Sequence, residues 1–253
     1  MAVVHSSGSE LYAKGARNVV LFGVLVALSW IGAYFLYLMG AGALFMLIAG
    51  ILLTKLCSYL FWRTAKIYFA GADGEKKALK EIETALPDTY HVFANVKVQE
   101  NMEADMVVVG PAGVFDVEVK NYNGRLEADV EQDTWTLHKY GRKGGEYGKE
   151  IKSPIRQLKR NIHILAGFLR ENNIHVWVDG AILFVNPNTS FSSTRMNLSN
   201  CFMSGKALGD QIMQHESIKQ LPQHQVNQIC TVLDSCISSG SDSPSGVLLE
   251  KQP

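Results

Sequence analysis

The sequence predicts an α/β domain, a mixed sheet flanked by helices, carried behind two membrane-spanning helices. Three observations predict it. Residues 18–54 contain no Asp, Glu, Lys, Arg or His, although charged residues make up 19% of the 253-residue chain. From about Gly71 the pattern changes to short β-rich runs alternating with helical periods, as expected when helices cover a sheet. Apolar runs flank Gly110-Pro111-Ala112-Gly113, the signature of an antiparallel hairpin. With 24 Lys+Arg against 24 Asp+Glu the chain is formally neutral, which excludes a uniformly basic nucleic-acid binder. A hydrophobic fraction of 47% excludes wholesale disorder.

One crossing of a bilayer needs about 20 apolar residues, so the uncharged run holds two. Gly40-Ala41-Gly42 is the natural turn, with helices near residues 18–39 and 42–62. Lys55 can snorkel to the headgroups, and Tyr59 and Trp62 suit the interfacial belt. Lys14 and Arg17 precede the first helix, Lys55, Arg63 and Lys66 lie in or after the second, and the turn carries no charge. Positive flanks stay inside, so the expected location is the cell (inner) membrane, multi-pass, with the C-terminal domain cytoplasmic. The run is too long for a signal peptide. Gly23, Ala27, Gly42 and Gly50 would let these helices pack against a second copy or another membrane protein, beyond plain anchoring. The expected domains are an anchor (1–66), a folded domain (67–237) and a flexible Ser/Gly-rich tail (238–253). Cys57, Cys201, Cys230 and Cys236 show no paired spacing and read as free thiols.

Within the folded part, Asp73 or Gly74 can begin a helix striped by Ala78, Leu79, Ile82 and Leu86. Glu75, four residues before Leu79, turns a carboxylate toward that apolar face. Strands are expected at Tyr90–Val98, Met106–Val109 and Val114–Lys120, then at Arg125–Val130 and Thr134–Tyr140, followed by a basic loop. Ser153-Pro154 starts a helix carrying Ile155, Leu158, Ile162, Leu165 and Leu169. A strand at Val176–Val185 and helices near Lys206–His215 and Pro222–Ile237 complete the pattern.

Folding the hairpin symmetrically about Pro111-Ala112 sets Val109 opposite Val114 and Asp105 opposite Glu118. Opposed carboxylates destabilise a strand pair unless something neutralises them, and a divalent cation is the natural candidate. Strand alternation sends Glu118 and Lys120 to one face, with Glu75 able to approach from the first helix. Oxygen ligands select a hard cation such as Mg²⁺ or Mn²⁺, which suits phosphodiester hydrolysis. Lys120 would then position or deprotonate the attacking water, or offset charge on the transition state. The Glu-x-Lys spacing alone fits a solvated, salt-bridged strand face at least as well. Asp116 shares that face, where the expectation is a charged strand residue and the alternative a further metal contact.

The strings GADGE at 71–75, ADMVVVGPAGVFDVEVKNYNG at 104–124, Trp135 and SPIRQLKRNI at 153–162 change that balance. Together they resemble the NERD family, the nuclease-related domain of the PD-(D/E)XK nuclease superfamily, over roughly 71–190. The resemblance implies a restriction-endonuclease-like core and a metal-dependent nuclease. In it Glu75, Asp105, Glu118 and Lys120 match the acidic and lysine positions, and Gln157 matches a polar position on the following helix. Glu75, Asp105 and Glu118 would hold the Mg²⁺ or Mn²⁺.

Residues 138–160 hold eight cations (Lys139, Arg142, Lys143, Lys149, Lys152, Arg156, Lys159 and Arg160) against Glu146 and Glu150. Such a patch predicts salt-sensitive, weakly sequence-specific binding of nucleic acid, with DNA favoured, and anionic lipid as the competing partner. Because nuclease folds also persist as binding modules, the rival expectation is a catalytically inactive tether for nucleic acid or protein. GRKGGEYGKE lacks phosphate-loop spacing, and the seven histidines show no paired zinc-ligand spacing.

Overall fold

The computed structural model describes residues 1–6, 9–40, 42–99, 102–129, 131–141, 144–192, 200–215 and 220–238. The proposed tail therefore lies, from residue 239 onward, outside the described residues. The chain divides into two units, Ser9–Asp73 and a larger one of Met1–Gly8 with Gly74–Pro253.

The smaller unit is a helical hairpin. Helix α1 (Glu10–Leu38) and the helical stretch from α2 (Ala43–Cys57) through a π-helical turn (Ser58–Trp62) into α3 (Arg63–Ala85) are each long and apolar enough to cross a membrane. Only 6% of either apolar window is buried, so its Leu, Ile, Val and aromatic side chains are presented outward. Between the helices Gly40 has φ +94°, a left-handed conformation that favours glycine. Trp30 lies against Gly50, while Phe69 covers Gly15 and Leu11 covers Gly71. Where a helix start was expected near Asp73, α3 runs on unbroken: Asp73-Gly74 is a helical interior, and the buried Gly74, Ala78 and Ile82 keep the helical period beyond it.

The larger unit is a mixed six-stranded sheet, ordered β1-β2-β3-β4-β8-β10, beside a four-stranded sheet, ordered β7-β6-β5-β9. The first contains β1 (Val3–Ser6), β2 (His91–Gln99), β3 (Met102–Gly110), β4 (Gly113–Lys120), β8 (Val178–Phe184) and β10 (Cys201–Phe202). The second contains β5 (Gly124–Glu127), β6 (Thr134–Tyr140), β7 (Glu146–Lys152) and β9 (Thr189–Phe191). Two of these strands correct the sequence reading. The expected basic loop contributes β7, whose exposed side chains give no apolar alternation to read. Residues 3–6, placed in the anchor from sequence, are a strand parallel to β2 instead.

The large sheet is covered on both faces. Ala78 and Ile82 of α3, with Leu208 and Ile212 of α5 (Gly205–Met213), pack on Val108, Val117 and Val119. Leu165 and Leu169 of α4 (Pro154–Glu171), with Val226, Ile229 and Leu233 of α6 (Gln223–Ser238), pack on Val107, Val109 and Val114. Leu126, Trp135 and Leu137 of the small sheet share a third cluster with Leu158, Ile182 and Phe184. Helix α4 approaches so closely that a Cβ on Gly180 would meet Ile162 at 2.5 Å.

Candidate active site

The β3–β4 hairpin adopts the expected register, with Val109 opposite Val114 and Met106 opposite Val117. Beyond that pair the two strands part. β3 stays with β2 as far as Met102, and β4 stays with β8 as far as Lys120. At the fork the Asp105 carboxylate accepts a hydrogen bond from the Val119 N–H at 2.8 Å, so a side chain replaces the lost ladder acceptor. Asp105, Glu118 and Lys120 therefore meet where the hairpin opens.

Glu118 is 1% exposed and paired with the Lys120 ammonium, which also donates to Gln157 Oε1 at 3.3 Å. Helix α4 starts at the N-cap Ser153 and Pro154, one turn before Gln157, and so aims that amide at the lysine. Asp105, Glu118, Lys120 and Gln157 thus lie together at the fork. Glu75 lies on α3, which packs on the opposite face of the sheet. Its neighbour Gly74 sits beside Asn121, just past Lys120. Among the described residues, no three His, Cys, Asp or Glu side chains form a ready metal-ligand group.

Burial dominates the electrostatics. It pushes the Glu118 carboxyl up to about 8, with the Asp105 charge adding to the effect. Asp105 is also raised by burial, against the opposing pull of Lys120 and the Val119 N–H. Lys120 pays for its own burial, but Glu118 and Asp105 hold its pKa above the usual lysine value, so it remains an ammonium.

Three polar residues carry more than the sequence suggested. Asp116 is fully buried, not a solvated strand residue, because β8 flanks β4 and α4 covers that face. Both of its oxygens lack hydrogen-bond partners, as do Glu118 Oε2 and both polar atoms of Asn161. Asn161 stands on the apolar stripe of α4, between Leu158 and Leu165, and a polar residue on such a stripe was its available signal. Asn95 has φ +55°. Its signal is weaker, residing only in the tolerance of Asn for that conformation.

Among the described residues, the basic side chains fall into separate groups. Lys152, Arg156 and Arg160 line, with Gln157, Ser153, Asp133 and Thr134, a groove of about 830 Å³. Arg156 pairs with Asp133 there. Lys139 borders a separate depression of about 490 Å³ with Arg125, His138 and Tyr140. Strand alternation puts Lys149, opposite Leu137, on the other face of β7 from Lys152. Lys159 is exposed on α4, and Arg142 and Lys143 lie outside the described residues.

The comparisons with known proteins bear on this fork. Residues 70–185 match the family model of the nuclease-related domain, NERD. The NERD match spans the whole constellation from Glu75 to Gln157. A probable kinase, PglW, of Streptomyces coelicolor is 25% identical over 165 residues, covering 62% of this chain and 10% of that protein. An uncharacterized protein of Bacillus anthracis is 26% identical over 105 residues, covering 40% of this chain and 47% of the relative. The chain thus spans less than half the length of either curated relative. No solved structure matches it.

Proposed function

We propose that the protein is a membrane-anchored, divalent-metal-dependent nuclease with a PD-(D/E)XK-type core that hydrolyses phosphodiester bonds of nucleic acid, DNA being favoured. The observation that carries this reading is the convergence of Asp105, Glu118, Lys120 and Gln157 at the fork between β3 and β4. The unpartnered Glu118 oxygen and the adjacent Asp105 carboxylate suit a hard cation, Mg²⁺ or Mn²⁺. Bound there, the ion would polarise the scissile phosphate and lower the pKa of a coordinated water.

The chain's own groups have distinct tasks. Lys120, held as an ammonium, offsets negative charge on the phosphorane-like transition state; a proton-accepting role does not suit it. Gln157 fixes the ammonium's direction. Lys152, Arg156 and Arg160 border the same groove as Gln157 and can hold flanking phosphates without reading bases. Glu75 is left a supporting place at the Asn121 end of β4, outside the first ligand pair.

The membrane part of the proposal draws on both units. The apolar helices present their side chains outward, and Arg63 and Lys66 lie over the rings of Tyr59 and Trp62 at 5.9 and 5.6 Å, as suits an interface. The competing reading, an inactive tether, is favoured by the absence of a ready three-ligand group among the described residues.

The test uses the full chain in detergent, because β1 belongs to the large sheet. Plasmid DNA, linear DNA and RNA are offered with Mg²⁺, Mn²⁺ or EDTA. Metal-dependent cutting is expected, and Lys120→Ala or Glu118→Gln should reduce it at least about 100-fold, in line with loss of a transition-state donor. Full activity in both folded variants sinks the nuclease assignment, and no cutting by the native chain shifts the weight to the tether.

A further inference from the structure

We propose that Asp116 and Asn161 complete, with Glu118, an oxygen-lined divalent-cation site in the layer between α4 and β4. The inference rests on reading the Asp105–Glu118 fork as metal-binding and adds two ligands that the family resemblance does not supply.

The placement follows from two fixed points. At one end of the layer Gln157 touches Lys120, and at the other Leu165 shares a cluster with Val114. Helix α4 therefore runs back along β4 from Lys120 toward Val114. Asn161 is one turn beyond Gln157 on the same helix face, level with Glu118 and Asp116, which share a strand face. Asp116 is 0% exposed, Glu118 1% and Asn161 1%. Both Asp116 oxygens, Glu118 Oε2 and both Asn161 amide atoms are buried without hydrogen-bond partners.

Such a layer is expensive unless something enters it. A buried polar atom without a partner costs roughly 1–3 kcal/mol, more when charged. Three carboxyl groups here, Asp105, Asp116 and Glu118, face the single ammonium of Lys120. Water can satisfy hydrogen bonds, but it gives the ionised form of these carboxyls no counter-charge beyond Lys120. A hard divalent cation does both, and carboxylate oxygens with an amide oxygen are its preferred ligands. Asp116 and Glu118, two residues apart, are separated by about 6.7 Å along the strand, a span two side chains can close around one ion by rotation. The carboxylates do not yet converge on one point. A cation would draw them in, with Asn161 Oδ1 supplying a neutral ligand from the helix.

The experiment is calorimetric titration of the full chain in detergent with MnCl₂, without nucleic acid, alongside thermal unfolding with Mn²⁺ or EDTA. Asp116→Asn and Asn161→Leu are compared with Asp105→Asn. Both test variants should unfold in EDTA no earlier than the native chain, lose about ten- to a hundredfold in Mn²⁺ affinity and lose the Mn²⁺-dependent rise in Tm. Unchanged affinity in a folded Asp116→Asn or Asn161→Leu variant overturns the site. If Asp105→Asn alone weakens binding, this inference fails and the nuclease reading stands. Binding that depends on Asp116 but accompanies no cleavage leaves the site and removes the nuclease. No Mn²⁺ binding by the native chain sinks both.

Discussion

The Asp116 carboxyl is pushed up to about 8, first by burial and then by the charges of Glu118 and Asp105. In the unfolded chain it ionises near pH 3.9. As pH rises from about 4 to about 8 the unfolded state gives up this proton while the folded state keeps it, so the group's contribution falls steadily and then levels off. Asp116→Asn removes that slope. In EDTA the variant should therefore gain Tm over the native chain by more at about pH 8 than at about pH 5. An equal gain at both, or a loss, would show that Asp116 is not a buried, metal-free liability. At this scale the sequence was informative about pairs and blind to depth. The turn residues and the apolar runs of the hairpin were enough to set its register as far as Met106 and Val117, but not to show that the strands part before Asp105 and Glu118 can pair. The burial of Asp116 depends on β8, more than sixty residues downstream, and on helix α4 above it, which no local pattern near Asp116 reveals.

Among the elements, a left-handed residue inside β2 lies beside the fork. Ala94 pairs with Met106 and Val96 with Ala104, but Asn95 and Asp105, which fall between them, make no register pair. The alternation of buried faces slips at the same point: Phe93 and Val96, three apart, lie in one cluster, and so do Ala104 and Val107. Asn95 supplies the slip with its φ of +55°, and β3 leaves β4 directly afterwards. Left-handed geometry costs an ordinary residue about 1–2 kcal/mol, and a β-branched one suffers most. Asn95→Val should thus lower stability by about that amount, while Asn95→Gly holds nearer the native value. Guanidinium unfolding curves decide it: equal losses for Val and Gly would mean that the Asn95 side chain, not its backbone, matters. Cleavage should fall with Val beyond its effect on stability, since Asp105 is then misaimed. The left-handed position at Asn95 was not legible because Asn is common in strandless segments, and β7 was missed because its surface lacks alternation. By contrast, the Gly-Pro turn and the Ser-Pro start of α4 carried local chemistry strong enough to read.

For the whole molecule, the decisive link is the short strand before the first apolar helix. Val3 pairs with His91 and Ser6 with Ala94, so β1 and β2 share one sheet although the two apolar helices lie between them in the chain. His5 reinforces the joint, its Nδ1–H donating to the Asp234 carboxylate at 2.7 Å, its Nε2 sharing a hydrogen bond with His91 Nδ1 at 3.2 Å, and its ring stacking on Phe93. A sheet cannot form across a bilayer, because its strands must be hydrogen-bonded to one another on one side. On the proposed membrane-anchored reading the chain would cross an even number of times between Ser6 and His91, and the two helices long and apolar enough to span meet that count. On the membrane-anchored reading proposed above, the basic flanks Lys14, Arg17, Arg63 and Lys66 would assign the shared side to the cytoplasm. Tags fused to Met1 and to Pro253 should both be cleaved by added protease in inside-out vesicles and both be protected in right-side-out ones. Opposite protection of the two tags would mean a single crossing, which would break the β1–β2 pairing and with it the sheet edge that His5 and Asp234 secure. A full-length chain with Val4→Pro offers the complementary reading: proline removes a strand donor, so if β1 matters to the sheet the Tm falls while both tags stay on the same side.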